Sequence, residues 1–343
     1  MRNRAHLDAS KDRFMNLLGT HFESVILDVT KASQLGKPKV IQELWSGYGK
    51  ILRMPLIGGD VDSVVLKYVQ LPIRSSHPRG WNSNLSHERK VRSYEIETTW
   101  YRDWSARCDN RCRIPQLLAL ERHGDDVLMV LEDLDLSGFP SRLGKVKWRQ
   151  VEISLKWLAN FHATFMDEKP EGLWEIGTYW HLDTRPDELE ALEDSDLREA
   201  ASEIDLRLKL SQHQTLVHGD AKLANFCFSK DGDRVAVVDF QYVGGGCGMK
   251  DVAYFVGSCL DEQASEDQEP SVLDTYFTAL RHALARHQPS MNANAVIAEW
   301  RELYHVAWTD FHRFLKGWSP GHWKINSYSE RLATEVIAKI NRA

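Results

Sequence analysis

The stretch LVHGDAKLANFCFSKDGDRVAVVDFQ, Leu216 to Gln241, sets His218, Gly219, Asp220, Asn225 and Asp239 around short apolar runs. Carboxylates and amides beside apolar strands must find partners or stay wet, so packing alone is a poor reason for them. Phe226 to Phe228 alternates into a strand, Asp231-Gly232 supplies a turn, and Val235 to Val238 returns, which predicts a β-hairpin. A hairpin brings its ends together. Asn225, just before the first strand, and Asp239, just after the second, then lie side by side, with Asp220 on the adjoining loop. Such a pair offers oxygen ligands to a hard cation, preferably magnesium shared with phosphate oxygens, which makes Asn225 and Asp239 the candidate metal ligands. Asp220, five positions before Asn225, is left free to accept a proton.

His-x-Asp-x-x-x-x-Asn followed by a strand pair and Asp-Phe is the catalytic-loop arrangement of a kinase. One loose Asp-x4-Asn match would say little. His218-Gly219-Asp220 with Asn225, a hairpin of the right length and Asp239-Phe240-Gln241 is specific as a set. Asp220 is the candidate catalytic base, orienting an acceptor hydroxyl and taking its proton late, so its pKa need not be strongly raised. His218 braces the loop.

The rest of the chain limits what surrounds that loop. With 343 residues, 43% of them hydrophobic, it can bury a large core and divide into two lobes. A net charge of −6 gives no general attraction for nucleic acid, and no local basic patch stands out. Five cysteines without a paired CxxC arrangement read as reduced thiols in a cytoplasmic protein. Charges interrupt the N-terminal segment, so export is not supported, and no charge-free run approaches the ~20 residues of a membrane span.

Texture changes near residue 134. Before it, VDSVVLKYV (Val61 to Val69) and DVLMVLEDL (Asp126 to Leu134) read as strands, with one helix in SHERKVRSYEIETTWYRDW between them. After DLSGFP (Asp135 to Pro140) helical patterns dominate. Val151 to Met166 reads as a buried helix with His162 as a structural group. Thr184 can cap a helix running through Pro186 into DELEALEDSDLREAASEIDLRLKL, and Asp251 either caps the helix after it or fastens the catalytic loop. The expectation is an α+β fold: residues 1–134 as a small β-rich nucleotide-binding lobe with one main helix, and residues 135–343 as a larger, mostly helical lobe with the catalytic loop and acceptor pocket.

The sequence resembles the small-molecule kinases of the aminoglycoside phosphotransferase and choline kinase superfamily, whose fold is two-lobed and protein-kinase-like. Asp239-Phe240-Gln241, LEDL at Leu131 to Leu134 and Asp251-Val252-Ala253-Tyr254-Phe255 most resemble its ecdysteroid-kinase-like branch. The resemblance covers most of the chain from about Gly47 onward. It implies ATP and magnesium as cofactors and an alcohol group of a small molecule as acceptor. Lys67 in VVLKYV resembles the strand lysine that holds the ATP α- and β-phosphates, and YEIETTWY resembles the helix pattern that selects Glu97 over Glu95 as its partner. Gly47 and Gly49 in WSGYGK would form the nucleotide-covering loop, and Glu132 to Leu134 a hinge that offers edge backbone groups to adenine. Gly244, Gly245, Gly246 and Gly248 read as a mobile segment facing the substrate. Lys222 departs from the ecdysteroid-kinase-like pattern. DAKLAN instead resembles the Asp-x-Lys-x-x-Asn of serine/threonine protein kinases, which makes Lys222 a candidate to stabilise the phosphoryl group in transfer.

A protein substrate is not expected, because YVGGGCGMK between Gln241 and Asp251 has no Ala-Pro-Glu to anchor a peptide platform. The helical stripe Trp300, Tyr304, Trp308 and Phe311, with His312, Trp318 and Trp323 close by, is either core or acceptor pocket. As pocket it would suit a bulky apolar alcohol, or a choline-like cation with an acid such as Asp310 beside it. The reading is an ATP-dependent small-molecule kinase for such an alcohol. Choline- or aminoglycoside-type kinases and a catalytically silent nucleotide-binding regulator stand as alternatives.

Overall fold

In the computed structural model, which describes residues 18–44, 47–70 and 84–342, the strand-like sequences before residue 134 form one antiparallel sheet. Contacts divide the chain into two units, Met1–Ala106 with Pro115–Pro140, and Arg107–Ile114 with Ser141–Ala343. The first unit opens with helix α1 (residues 18–30). Strands β1 (Gln34–Leu35), β2 (Lys39–Glu43), β3 (Gly49–Ile57) and β4 (Ser63–Gln70), helix α2 (Asn84–Thr99), and strands β5 (Leu117–His123) and β6 (Asp126–Glu132) follow. The sheet order is β1-β3-β4-β6-β5, with β2 also on β3.

In β3 the apolar residues alternate. Leu52, Met54 and Leu56 face inward and meet Phe22 and Ile26 of α1 in the same core as Leu66, Leu128 and Val130. The continuous run in β6 has the opposite cause, since a strand flanked on both sides and covered on both faces has no solvent side to mark with polar residues. Only Asp133 and Leu134 of LMVLEDL lie beyond the paired strand. The backbone of β6 pairs with β4 and β5 along its length, and Glu132 N–H still donates to the Gln116 carbonyl at 2.9 Å. The chain leaves the sheet at Asp133, whose buried carboxylate takes Arg53 Nε at 2.7 Å and Ser63 Oγ at 2.6 Å. The helix between the strands begins as expected, but after Thr99 it widens into a π-helical turn, Trp100–Trp104, that buries Trp100, Tyr101 and Trp104.

The second unit contains β7 (Ser141–Arg142), helices α3 (Trp148–Thr164), α4 (Pro186–Glu190) and α5 (Ser195–Lys209), and strands β8 (Thr215–Val217), β9 (Phe226–Phe228), β10 (Val235–Val237) and β11 (Gly244–Gly246). Helices α6 (Met249–Cys259), α7 (Glu262–His287), α8 (Ala293–Trp318) and α9 (Ser327–Ile340) complete it. The acidic stretch expected as a single helix is two. Thr184 Oγ1 donates to the His181 carbonyl at 2.9 Å instead of accepting from a helix N–H, α4 ends at Glu190, and Asp194 starts α5 by accepting from Leu197 N–H.

The glycine cluster is corrected as well. Gly244–Gly246 is the buried strand β11, paired with β8, and a Cβ on Gly244 would strike the Trp174 carbonyl. Gly248 gives way to the Trp300 ring and His162. These glycines permit close packing of backbone on backbone; they do not confer mobility. The aromatic stripe of α8 is core: Trp300, Tyr304, Trp308 and Phe311 are all buried, with Trp308 against Gly257 and Tyr328. Asp310, considered as an acid for a cationic acceptor, is fully buried. Trp180 Nε1 at 3.0 Å, Arg313 at 2.9 Å and Lys250 at 3.6 Å hold it, and against the upward push of burial the two cations keep its pKa below the usual carboxylate value.

Candidate active site

The loop between β8 and β9 is fixed at its start by a helix acid. Asp251, in the first turn of α6, accepts His218 N–H at 2.6 Å and Gly219 N–H at 3.0 Å, while His162 Nε2 lies 3.2 Å from the same carboxylate. Fastening the loop is therefore the Asp251 role that the geometry realises. His218 has both ring nitrogens on backbone: Nδ1 receives Asp220 N–H at 3.2 Å, which leaves Nε2–H to donate to the Val238 carbonyl at 3.0 Å. Its ring also meets Phe240, centroids 4.6 Å apart. A histidine held this way braces the loop.

Gly219 sits at φ +78°, and a Cβ there would run into the Tyr242 carbonyl. Gly219→Ala is expected to cost about 1–3 kcal/mol in urea denaturation through backbone strain alone. A variant as stable as the parent would show that this turn can relax.

Asp220 is buried with its carboxylate surrounded by donors. Oδ1 accepts from Tyr254 Oη at 3.2 Å, and Oδ2 from Lys222 Nζ at 2.7 Å and Asn225 Nδ2 at 3.2 Å. Burial pushes its pKa above the usual value, the Lys222 ammonium opposes this, and Asp239 adds to it. Asn225 Nδ2 also donates to the Asp220 carbonyl at 2.8 Å, so the oxygen of the amide is the atom left to face a ligand.

The hairpin forms as expected, with Phe226 opposite Val237 and Val238 N–H on the Asn225 carbonyl at 3.1 Å. This pairing brings Asp239 alongside, near enough for its charge to be felt by both Asp220 and Lys222. Asp239 itself is held at φ +73°, a left-handed conformation uncommon outside glycine. No group of three or more acid, histidine or cysteine side chains able to hold a metal occurs among the described residues. One amide oxygen and one carboxylate instead fit a magnesium ion that draws most of its ligands from phosphate and water.

In the first unit Lys67 on β4 and Glu97 on α2 form a buried ion pair, Nζ to Oε2 2.6 Å, while Glu95 faces solvent. Gly47 and Gly49 flank a tight turn with φ of +77° and +133°, and a Cβ on Gly49 would strike the Tyr68 carbonyl. Trp45 and Ser46, the start of the expected nucleotide-covering loop, lie outside the described residues. Glu132 Oε2 accepts Gln116 N–H at 2.9 Å, and the Leu134 carbonyl accepts Phe139 N–H at 2.8 Å.

Two residues beside this loop were given no role by the sequence reading. Tyr254 lies one helical turn beyond Asp251, a spacing that could have revealed it. Lys324 follows α8 in a segment without periodicity, and only the fold brings its ammonium over the Tyr254 ring, 4.9 Å from the centroid.

Residues 87–291, about three-fifths of the chain, match the model of the phosphotransferase enzyme family. The chain belongs to that family. No curated protein sequence matches this phosphotransferase. Among solved structures it is similar to a Plasmodium vivax ethanolamine kinase, with 14% identity over 93% of this chain and 88% of that one and a TM-score of 0.51, a likeness in fold. An aminoglycoside 2'-phosphotransferase-IIIa (13% identity, 93% and 98% covered, TM-score 0.47) and a choline kinase from Streptococcus pneumoniae (13% identity, 94% and 100% covered, TM-score 0.43) are also similar. The α+β architecture expected for the phosphotransferase, a sheet followed by a helical region, is the one observed. No helix among its described residues is long and apolar enough to cross a membrane.

Proposed function

We propose that this phosphotransferase moves the γ-phosphoryl group of ATP to a hydroxyl of a small molecule, with Asp220 as the base. The observation that carries the reading is the Asp220 carboxylate, buried and fixed by Tyr254, Lys222 and Asn225, with Asp239 delivered beside it by the hairpin. The acceptor oxygen attacks phosphorus as the bond to the bridging β,γ-oxygen breaks; ADP leaves, and the hydroxyl proton passes to Asp220. Lys67, oriented by Glu97, holds the α- and β-phosphates. Gly47 and Gly49 let backbone approach the nucleotide, and the chain from Glu132 to Leu134 meets adenine. Magnesium at the oxygens of Asn225 and Asp239 would supply charge neutralisation on the phosphates.

Lys222 steadies Asp220 at rest and is placed to follow the negative charge when the phosphoryl group arrives. Lys222→Met is expected to lower kcat by about a hundredfold while the KM for ATP changes little. An unchanged kcat would remove Lys222 from the transfer step.

Within the superfamily, the ecdysteroid-kinase-like features quoted above favour a bulky apolar alcohol, and the exposed rings of Trp318 and Trp323 offer such a molecule a surface. The test is a screen of hydroxylated metabolites, from steroid-sized alcohols to choline and aminoglycosides, for substrate-dependent ADP release. Nucleotide binding without ADP release for any of them would favour the silent regulator.

A further inference from the structure

Lys324, in the segment between α8 and α9, points its ammonium into a corner of aromatic faces. Nζ stands 4.9 Å from the Tyr254 centroid, 5.4 Å from Phe311 and 5.6 Å from Trp323. This is how an aromatic cage receives a quaternary ammonium ligand, but here the cation belongs to the chain. No carboxylate among the described residues pairs with it. The carboxylate whose charge reaches it is committed elsewhere, Asp220 to Lys222 and Tyr254. Tyr254 couples the two places, since its ring lies under Lys324 and its hydroxyl is on Asp220.

A cationic acceptor would meet ring faces already covered by a like charge, whereas an anionic one would meet an ammonium that no carboxylate among the described residues pairs. Beside the cage, Trp318, His322 and Trp323 form a partly exposed ladder, with centroid spacings of 6.3 and 5.8 Å, against which an apolar body can lie. We infer that the acceptor is a hydroxy acid: its hydroxyl at Asp220, its acidic group on Lys324, and its apolar frame on the Trp318–Trp323 ladder. The inference rests on the phosphotransferase reading above and narrows its acceptor class.

The electrostatics agree. Burial pushes the Lys324 amine down to about 8, with Lys222 pushing the same way and Asp220 and Cys259 opposing them. The titratable and charged groups facing it are therefore Asp220, Lys222, the Cys259 thiol, which burial holds up at about 12, and Tyr254. An ammonium destabilised in this way gains most from an incoming anion.

Three benzyl alcohols of one shape, 4-(hydroxymethyl)benzoate, its primary amide and the corresponding benzylamine, separate charge from size. Titration calorimetry of each into the full chain with magnesium and ADP is expected to show the acid binding about tenfold more tightly than the amide, with the amine weakest. Lys324→Met should abolish the acid preference and improve the amine, and Lys324→Arg should restore it. Raising the pH from about 7 to about 9.5 should weaken the acid in the parent and leave the Met variant unchanged, because the ammonium is lost on that interval. Equal or tighter binding of the amine, no binding of the acid, or an acid preference that survives Lys324→Met overturns the inference. If the acid binds selectively while no alcohol accepts phosphate from ATP, the phosphotransferase reading fails and the anion site stands.

Discussion

Asp220→Asn is expected to lower kcat by about a thousandfold while affinity for magnesium and nucleotide is retained. The substitution keeps the shape of the side chain and removes its capacity to take a proton. It also turns one of two acceptor oxygens, which now meet Tyr254, Lys222 and Asn225, into a donor. The proposed metal ligands Asn225 and Asp239 are untouched. Asp239→Ala should do the reverse and abolish magnesium-dependent nucleotide binding. Calorimetry of ADP with magnesium distinguishes them, and identical behaviour of the two variants would refute the division of roles. Because burial raises the Asp220 pKa, the acid limb of kcat should lie above the ordinary carboxylate range, activity falling as the base becomes protonated.

Asp251→Ala is expected to destabilise the protein by about 3–5 kcal/mol, because removing one member of a buried charged network strands its partners. Here those partners are the N–H groups of His218 and Gly219, and His162, whose other ring nitrogen is 2.7 Å from Tyr276 Oη. None of them can turn to water, because Asp251 and both histidines are fully buried. Urea denaturation measures the loss. Asp251→Asn, which keeps one acceptor oxygen, should lose clearly less. A cost below about 1 kcal/mol for the alanine variant would mean that the loop is held in place by other contacts.

The hairpin and the Asp220–Asn225–Asp239 spacing were legible because their geometry is local: a turn closed by Gly232 N–H on the Ser229 carbonyl, with Gly232 at φ +73°, joins the two strands, and their register sets which side chains meet. Lys67 and Glu97 were selected by family pattern, and the structure pairs them across a strand and a helix, a contact that no local rule could supply. The aromatic stripe of α8 was left between core and pocket for a physical reason. Periodicity reports that a face is apolar, not whether protein or ligand covers it, and here protein does. The glycine run was misread because the same residue serves mobility and tight backbone packing, and only the nearness of Trp174 and Gly177 decides between them. Lys324 had no signal at all, since its meaning depends on rings more than ten positions away in sequence.

The strand made only of glycines has a regulatory consequence. In protein kinases the chain beyond the metal aspartate is a long loop that phosphorylation can order or release. Here the corresponding stretch is stitched into β8 on one side, and on the other it exchanges backbone hydrogen bonds with Trp174 and Gly177. Such a seam has no slack to throw and no hydroxyl between Val243 and Lys250 to modify. The enzyme is thus built without an ignition key at this position, and its output is expected to follow the supply of nucleotide and acceptor.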